Sequence, residues 1–325
     1  MKKQKNPAHL CFLLCILLLV SSLVGCKKPL SVEVTYVLSN GQENVTDSVS
    51  TLFGITKAPT PKRMNYIFSG WYQNEECTVP YDINTAPERD MTLYAGWIFD
   101  YERYINKADK ILASTVEVTA ELFTNSYYGS QTLEIHSGSG VIVYESDLCY
   151  YIVTNNHVTY FSGQGNKDYT VKDIYERNYS VTLLDASAEY DLALLSIRKI
   201  RDDETPLSVA EFADKNPPIS TVCCAIGSPG GVRNRVTFGQ ILDLAAVDLE
   251  NTGAKVSDVE FPVFSHDAPM DNGSSGGPIF DSNYELIGIN YAAETAYDNF
   301  MEGFAIPVEK VRIFLNLSKI GKEFS

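Results

Sequence analysis

The stretch Tyr151-Ile152-Val153-Thr154-Asn155-Asn156-His157-Val158 is an apolar run that breaks into two asparagines and a histidine. β-Branched and aromatic residues favour an extended strand, and the asparagines favour the turn that ends it. His157 therefore stands at a strand end, where a rigid backbone can aim a side chain into a cleft. A lone histidine there is most often structural. Further along, Tyr190-Asp191-Leu192-Ala193-Leu194-Leu195 sets an acid at the mouth of a hydrophobic strand. By itself it reads as an ordinary strand-edge charge. Gly273-Ser274-Ser275-Gly276-Gly277-Pro278 is the third piece. Glycine lets backbone N–H groups approach a substrate oxygen without an obstructing Cβ, and two glycines after Ser275 permit a turn that presents its hydroxyl. Ser274, the rival nucleophile, sits in the middle of that turn. Jointly the three stretches supply a nucleophile, a base and an acid to orient the base.

Outward from these stretches, short strand patterns recur from about Ser114 to the end of the chain. Gly138-Ser139-Gly140 leads into Val141-Ile142-Val143-Tyr144, and further runs occupy Leu192–Ile197, Ser220–Ile226, Val236–Leu242, Glu285–Tyr291 and Phe304–Ile306. Many short strands separated by Gly, Pro and Asn turns predict an all-β barrel or sandwich. The charged, proline-containing stretch Lys199–Pro218 divides it and suits a link between two barrels. Pro307 opens a closing helix with Val311, Phe314 and Leu315 on its apolar side.

Upstream, Tyr104, Ile105, Ala108, Ile111 and Leu112 fall at helical spacing, with Asp100 as N-cap, and predict one linker helix over 99–114. Before it, Val32, Val34, Tyr36 and Leu38 alternate along a strand, and Asn40-Gly41 predicts a hairpin turn. The expected layout is a small β module at 31–98, the linker helix, and the larger β domain at 115–325.

The chain's 325 residues carry a formal charge of −15. Nucleic acid is excluded as a default partner, because phosphate binding needs a basic face. With 45 % apolar and 21 % charged residues the composition is that of a globular protein. The start is different. Lys2, Lys3 and Lys5 precede an uncharged apolar run, and Leu23-Val24-Gly25-Cys26 has small residues before a cysteine. This pattern reads as a lipoprotein signal peptide over 1–25, lipid attachment at Cys26, a tether over 26–30 and an extracytoplasmic, membrane-anchored protein. Beyond Cys26 remain Cys77, Cys149, Cys223 and Cys224, without metal-like spacing, and they are expected as buried free thiols. No metal and no cofactor are expected.

The order His157, Asp191, Ser275 on an all-β scaffold resembles the chymotrypsin-fold serine proteases. Ser139-Gly140-Val141-Ile142, Thr154-Asn155-Asn156-His157-Val158, Asp191-Leu192-Ala193-Leu194, Ala225-Ile226-Gly227-Ser228-Pro229, Glu285-Leu286-Ile287-Gly288-Ile289-Asn290 and Gly303-Phe304-Ala305-Ile306-Pro307 resemble its HtrA/Deg branch. The resemblance implies a chymotrypsin-like double β-barrel and a serine endopeptidase acting on proteins or peptides. By it Ser275 is the nucleophile, His157 the base, Asp191 its orienter, and the N–H groups of Gly273 and Ser275 form the oxyanion hole. It also implies that Met270, Ala292 and Ala293 line the primary pocket and favour aliphatic side chains, with Glu294 as the residue that would favour a basic one. That branch usually has Asn or Asp where this chain has Ser274, and zymogens of the wider family use an Asp there to pair with a newly cut N-terminus. Ser274 cannot, so activity without clipping is expected. Phe68-Ser69-Gly70-Trp71-Tyr72, Tyr81-Asp82 and Asp90-Met91-Thr92-Leu93-Tyr94-Ala95-Gly96-Trp97 resemble the β-grasp repeat of bacterial surface proteins, the Listeria–Bacteroides (InlB B-repeat-like) module. Trp71 and Trp97 are expected in its core rather than as ligand-stacking rings. A non-catalytic surface-adhesion lipoprotein with a degenerate protease fold is the alternative reading.

Overall fold

Alternation along β1 (Ser31–Val37) buries Val32, Val34 and Tyr36 and leaves Ser31 and Glu33 outside. In this computed structural model, which describes residues 30–127, 129–201, 203–228, 234–245, 257–295 and 301–318, that strand belongs to the first of two compact units, the second starting at Tyr101. The lysine-rich start, the apolar run and Cys26 lie outside the described residues. The first unit adds β2 (Val45–Ser50), β3 (Tyr66–Tyr72), β4 (Pro80–Tyr81) and β5 (Met91–Phe99) in the order β2-β1-β5-β3-β4. β1 and β5 run parallel and the other pairs antiparallel. Asn40-Gly41 does not close a two-residue hairpin. The connection between β1 and β2 takes residues 38–44, with Ser39 and Gly41 both at positive φ. Trp71 is buried, with its ring centroid 4.9 Å from that of Tyr36 and 5.4 Å from that of Phe68. Trp97 is half-buried and its indole N–H donates to the Leu38 carbonyl at 3.0 Å. Both rings serve the core of a small sheet, where edge-to-face pairs add about 0.5–1.5 kcal/mol each beyond burial.

The second unit opens with two helical turns, Tyr101–Ile105 and Asp109–Ala113, rather than the single helix expected over 99–114. Between them Lys107 N–H donates to Tyr104 O and Ala108 N–H to Ile105 O, three-residue closures that end the first turn. The cause is tertiary. Tyr104 is fully buried, stacks on Tyr284 at 4.4 Å, meets Phe238 edge-on at 5.5 Å and donates its hydroxyl to Asp281 O at 3.0 Å. Burying that ring outweighs the small propensity gain of a continuous helix.

β6 (Thr115–Ser126), β7 (Gly129–Glu145), β8 (Cys149–Thr154), β9 (Asn166–Lys172), β10 (Asn178–Ser187) and β11 (Leu192–Arg198) close a barrel in the order β10-β11-β8-β7-β6-β9. Val116, Val118, Ile142, Ile152, Val171, Leu195 and Ile197 fill it. After β12 (Glu211–Phe212) come β13 (Val222–Gly227), β14 (Arg235–Ala245), β15 (Val263–His266), β16 (Pro278–Phe280), β17 (Glu285–Thr295) and β18 (Met301–Pro307). These pair as β17-β16-β13-β14-β15-β18, and β18 returns to β17, so a second six-stranded barrel closes, with β12 added parallel to β17. The fold is thus mainly β, a double barrel of the chymotrypsin-like kind preceded by a small β domain. Helix Val308–Leu317 follows Pro307 and buries Val311, Phe314 and Leu315. All four described cysteines are free, but only Cys223 and Cys224 are buried; Cys77 and Cys149 are half-exposed.

Tyr104→Ala should lower the unfolding free energy by about 3–5 kcal/mol, because it empties a fully buried aromatic site. Tyr104→Phe, which keeps the ring and loses the hydroxyl bonded to Asp281 O, should cost about 1 kcal/mol. Urea titrations of both variants check this ordering.

Candidate active site

β8 and β11 are hydrogen-bonded neighbours, with Thr154 opposite Ala193. The end of one and the start of the other therefore reach the same barrel rim, which brings residues far apart in sequence together. Asn155 leaves β8 in extended geometry, and the turn Asn156–Thr159 carries His157. Asp191 enters β11 with φ +46°, a left-handed conformation that Asp tolerates better than most residues. Its carboxylate is fully buried and both oxygens are used. Oδ2 lies 2.8 Å from His157 Nδ1, and Oδ1 accepts the His157 backbone N–H at 3.0 Å. The Asp191 carbonyl in turn accepts Asn155 Nδ2 at 2.9 Å and Asn156 N–H at 3.1 Å. A carboxylate at Nδ1 fixes the proton there and leaves Nε2 as the acceptor facing outward.

Ser275 comes from the second barrel, on the loop between β15 and β16. Gly276 N–H donates to Asn290 O at 2.8 Å, Gly277 N–H to Ser274 O at 3.0 Å, and Ser139 N–H, across from the first barrel, to Ser275 O at 2.7 Å. Gly276 has φ +82°, and a Cβ there would lie 2.2 Å from Ser139 O, so only glycine fits. Gly273 has φ +99°. Among the described residues the N–H groups of Gly273 and Ser275 donate to no protein acceptor. The nearly buried Ser274 closes its own turn, donating its N–H to Asp271 O at 2.9 Å and accepting Asp271 N–H on Oγ at 3.2 Å. Among the described residues Ser274 itself has no charged side-chain partner.

One cleft of about 630 Å³ is lined by His136, His157, Met270, Gly273, Ser275, Ala292 and Ala293, among others. His157 and Ser275 share the cleft without a direct hydrogen bond to each other. Glu294, next in β17, is exposed, stands opposite Glu302 and is not part of the lining. Three further residues here had no role in the sequence reading. Asn155 holds the Asp191 carbonyl. His136, its Nε2 2.7 Å from Glu134 Oε1, stacks on Phe161 at 4.5 Å. Tyr291 is buried at a bulge of β17, and burial together with the Asp191 charge pushes its phenol up to about 12. Behind the cleft, His266 is fully buried with Nε2 3.0 Å from Asn290 Oδ1, and desolvation pushes its imidazole down to about 4. Among the described residues no cluster of three metal-ligating side chains occurs.

The fold is a chymotrypsin-like double barrel, and known proteins share it. Residues 138–289 match the trypsin-like peptidase domain family and residues 33–96 the Listeria-Bacteroides repeat domain. The chain is 31 % identical over 218 residues to serine protease HTRA1A of Danio rerio, covering 67 % of this chain and 41 % of that protein. To serine protease HTRA3 of Homo sapiens it is 31 % identical over 209 residues, covering 64 % and 43 %. The chain spans about two-fifths of the length of these curated relatives. The active form of the Rv3671c protease from M. tuberculosis superposes with a TM-score of 0.52 at 21 % identity, over 68 % of this chain and 87 % of that one, a likeness of fold. This chain therefore carries a trypsin-like peptidase domain with HtrA homologues, behind a Listeria-Bacteroides repeat domain.

His266 takes up its proton near pH 4 when folded and near 6.5 in its ordinary state. The unfolded chain binds the extra proton first as the pH falls, so stability is full above about 6.5 and drops between there and about 4, by at most ~3 kcal/mol. Denaturation midpoints at pH 7 and pH 4.5 should differ less for His266→Gln than for the wild type; equal differences would remove His266 as the cause.

Proposed function

We propose that the chain is a serine endopeptidase that cleaves protein or peptide substrates through an acyl-enzyme at Ser275. The observation that carries this reading is the double engagement of Asp191, which grips His157 through both its ring and its backbone at the rim of the cleft that also holds Ser275. A serine hydroxyl is too weak an acid to attack an amide unaided. In this mechanism His157 Nε2 takes the Ser275 proton as Oγ bonds to the scissile carbonyl carbon. Asp191 stabilises the imidazolium without being protonated itself. The N–H groups of Gly273 and Ser275, free of protein acceptors among the described residues, receive the developing oxyanion, where losing one donor costs about 3–4 kcal/mol in comparable sites. His157 then protonates the leaving amine, and water, activated by the same imidazole, releases the acyl group.

Met270, Ala292 and Ala293 give the cleft an apolar wall, which favours small aliphatic side chains before the cut. The self-closed turn at Ser274 supports activity without N-terminal clipping. The lysine-rich start, the apolar run and Cys26 support attachment to a membrane by a lipid, with catalysis outside the cytoplasm.

Intact, uncleaved protein should hydrolyse casein and react with a fluorophosphonate probe, and a chelator should change neither. Ser275→Ala should abolish both while the circular dichroism spectrum stays unchanged, and Asp191→Asn should lower kcat by about 10³–10⁴. Probe labelling and casein cleavage that survive Ser275→Ala would falsify the reading.

A further inference from the structure

Ser139, in β7 of the first barrel, is wholly buried and bonds to the second barrel at three points. Its backbone N–H donates to Ser275 O at 2.7 Å. Its hydroxyl oxygen accepts Ser228 N–H at 3.0 Å and donates its proton to Gly273 O at 2.8 Å. With Ser228 as a donor to Oγ, the single hydroxyl proton is committed to the Gly273 carbonyl. That carbonyl belongs to the peptide plane between Gly273 and Ser274, whose N–H is held by Asp271 O at 2.9 Å. The plane lies between the two N–H groups assigned to the oxyanion, one residue before and one after. Gly273, at φ +99°, has no Cβ to restrict rotation, so the bonds on its carbonyl set the orientation. Packing reserves the place for this side chain. A Cβ at 227 would lie 3.3 Å from Ser139 Oγ, and one at 277 would lie 3.3 Å from Ser139 Cβ.

We propose that Ser139 is a positioning residue, which fixes the peptide between the two oxyanion-binding N–H groups of one barrel through a hydroxyl supplied by the other. This rests on the serine endopeptidase reading. Ser139 touches no reacting atom and acts through Gly273. An oxyanion donor is worth most in the transition state, so loosening it lowers kcat rather than weakening ground-state binding.

The test uses the full chain with Ser139→Ala, and Ser139→Cys, whose thiol is a far weaker donor of similar volume. Should the alanine variant not fold, the cysteine variant answers the same question. Both should show kcat on a peptide amide reduced by about 10- to 100-fold with KM nearly unchanged. Affinity for a peptidyl boronate, whose tetrahedral adduct places an oxygen in the oxyanion hole, should fall by the same factor. The pH profile of kcat/KM should keep its shape, since the His157–Asp191 pair is untouched. A purely structural role would lower the unfolding midpoint and leave kcat and boronate affinity intact, and that result overturns the proposal. So does full activity in Ser139→Cys. Wild-type protein that fails to react with a fluorophosphonate sinks the endopeptidase reading and this inference together; wild-type labelling with unaltered Ser139 variants sinks this inference alone.

Discussion

A carboxylate shut away from water must have its charge met by donors, or burial costs far more than the pair returns. Asp191 meets this demand with one side-chain donor and one backbone donor, both from His157, while its carbonyl ties back to Asn155 and Asn156. The residue before His157, the turn that carries it and the entrance to β11 are thereby locked into one unit. Replacing the Asp191 side chain would leave a half-buried imidazole without an orienter and the His157 backbone N–H without its present partner. The left-handed backbone at Asp191 is the local cost, offset by those bonds.

The same logic extends across the cleft. Two closed barrels have no free strand edges with which to join, so they must join through side chains and loop backbone. Here a join is made where β7 of the first meets the Ser275 loop and the end of β13 of the second, through Ser139, Gly276 and Ser228. Thr154, at the end of the strand that leads to His157, donates its hydroxyl to Ser139 O at 2.7 Å. The turn that carries His157 and the loop that carries Ser275 therefore hang from a shared set of bonds a few residues wide.

Much of this was legible in the chain. The short stretches around His157, Asp191 and Ser275 were, because strand-to-turn changes are local: strand-end histidine, strand-mouth aspartate and glycine-flanked serine all stand at element boundaries, as their local sequences imply. The strand β6 was not singled out, although Val116, Val118, Ala120 and Leu122 alternate with polar residues along it. Its long partner β7 was foreseen only over its apolar end, since Gly129–Ser137 is largely exposed and gives no buried face to read. The linker helix failed for another reason. Its spacing was sound, but spacing does not reveal that Tyr104 is drawn into the second barrel. The role of the Ser139 hydroxyl was likewise invisible, because its partners at 228 and 273 are distant in sequence.

Cys223 and Cys224 sit side by side in β13, in the wall of the second barrel, and burial holds the Cys224 thiol up near 12. A thiol so protected reacts with an electrophile only after the wall opens and water reaches the sulfur. The rate of alkylation at this pair is thus a clock for barrel opening. The half-exposed Cys77 and Cys149, one in each unit, carry no such delay, so a single alkylation time course, resolved by site, separates surface chemistry from breathing of the peptidase core.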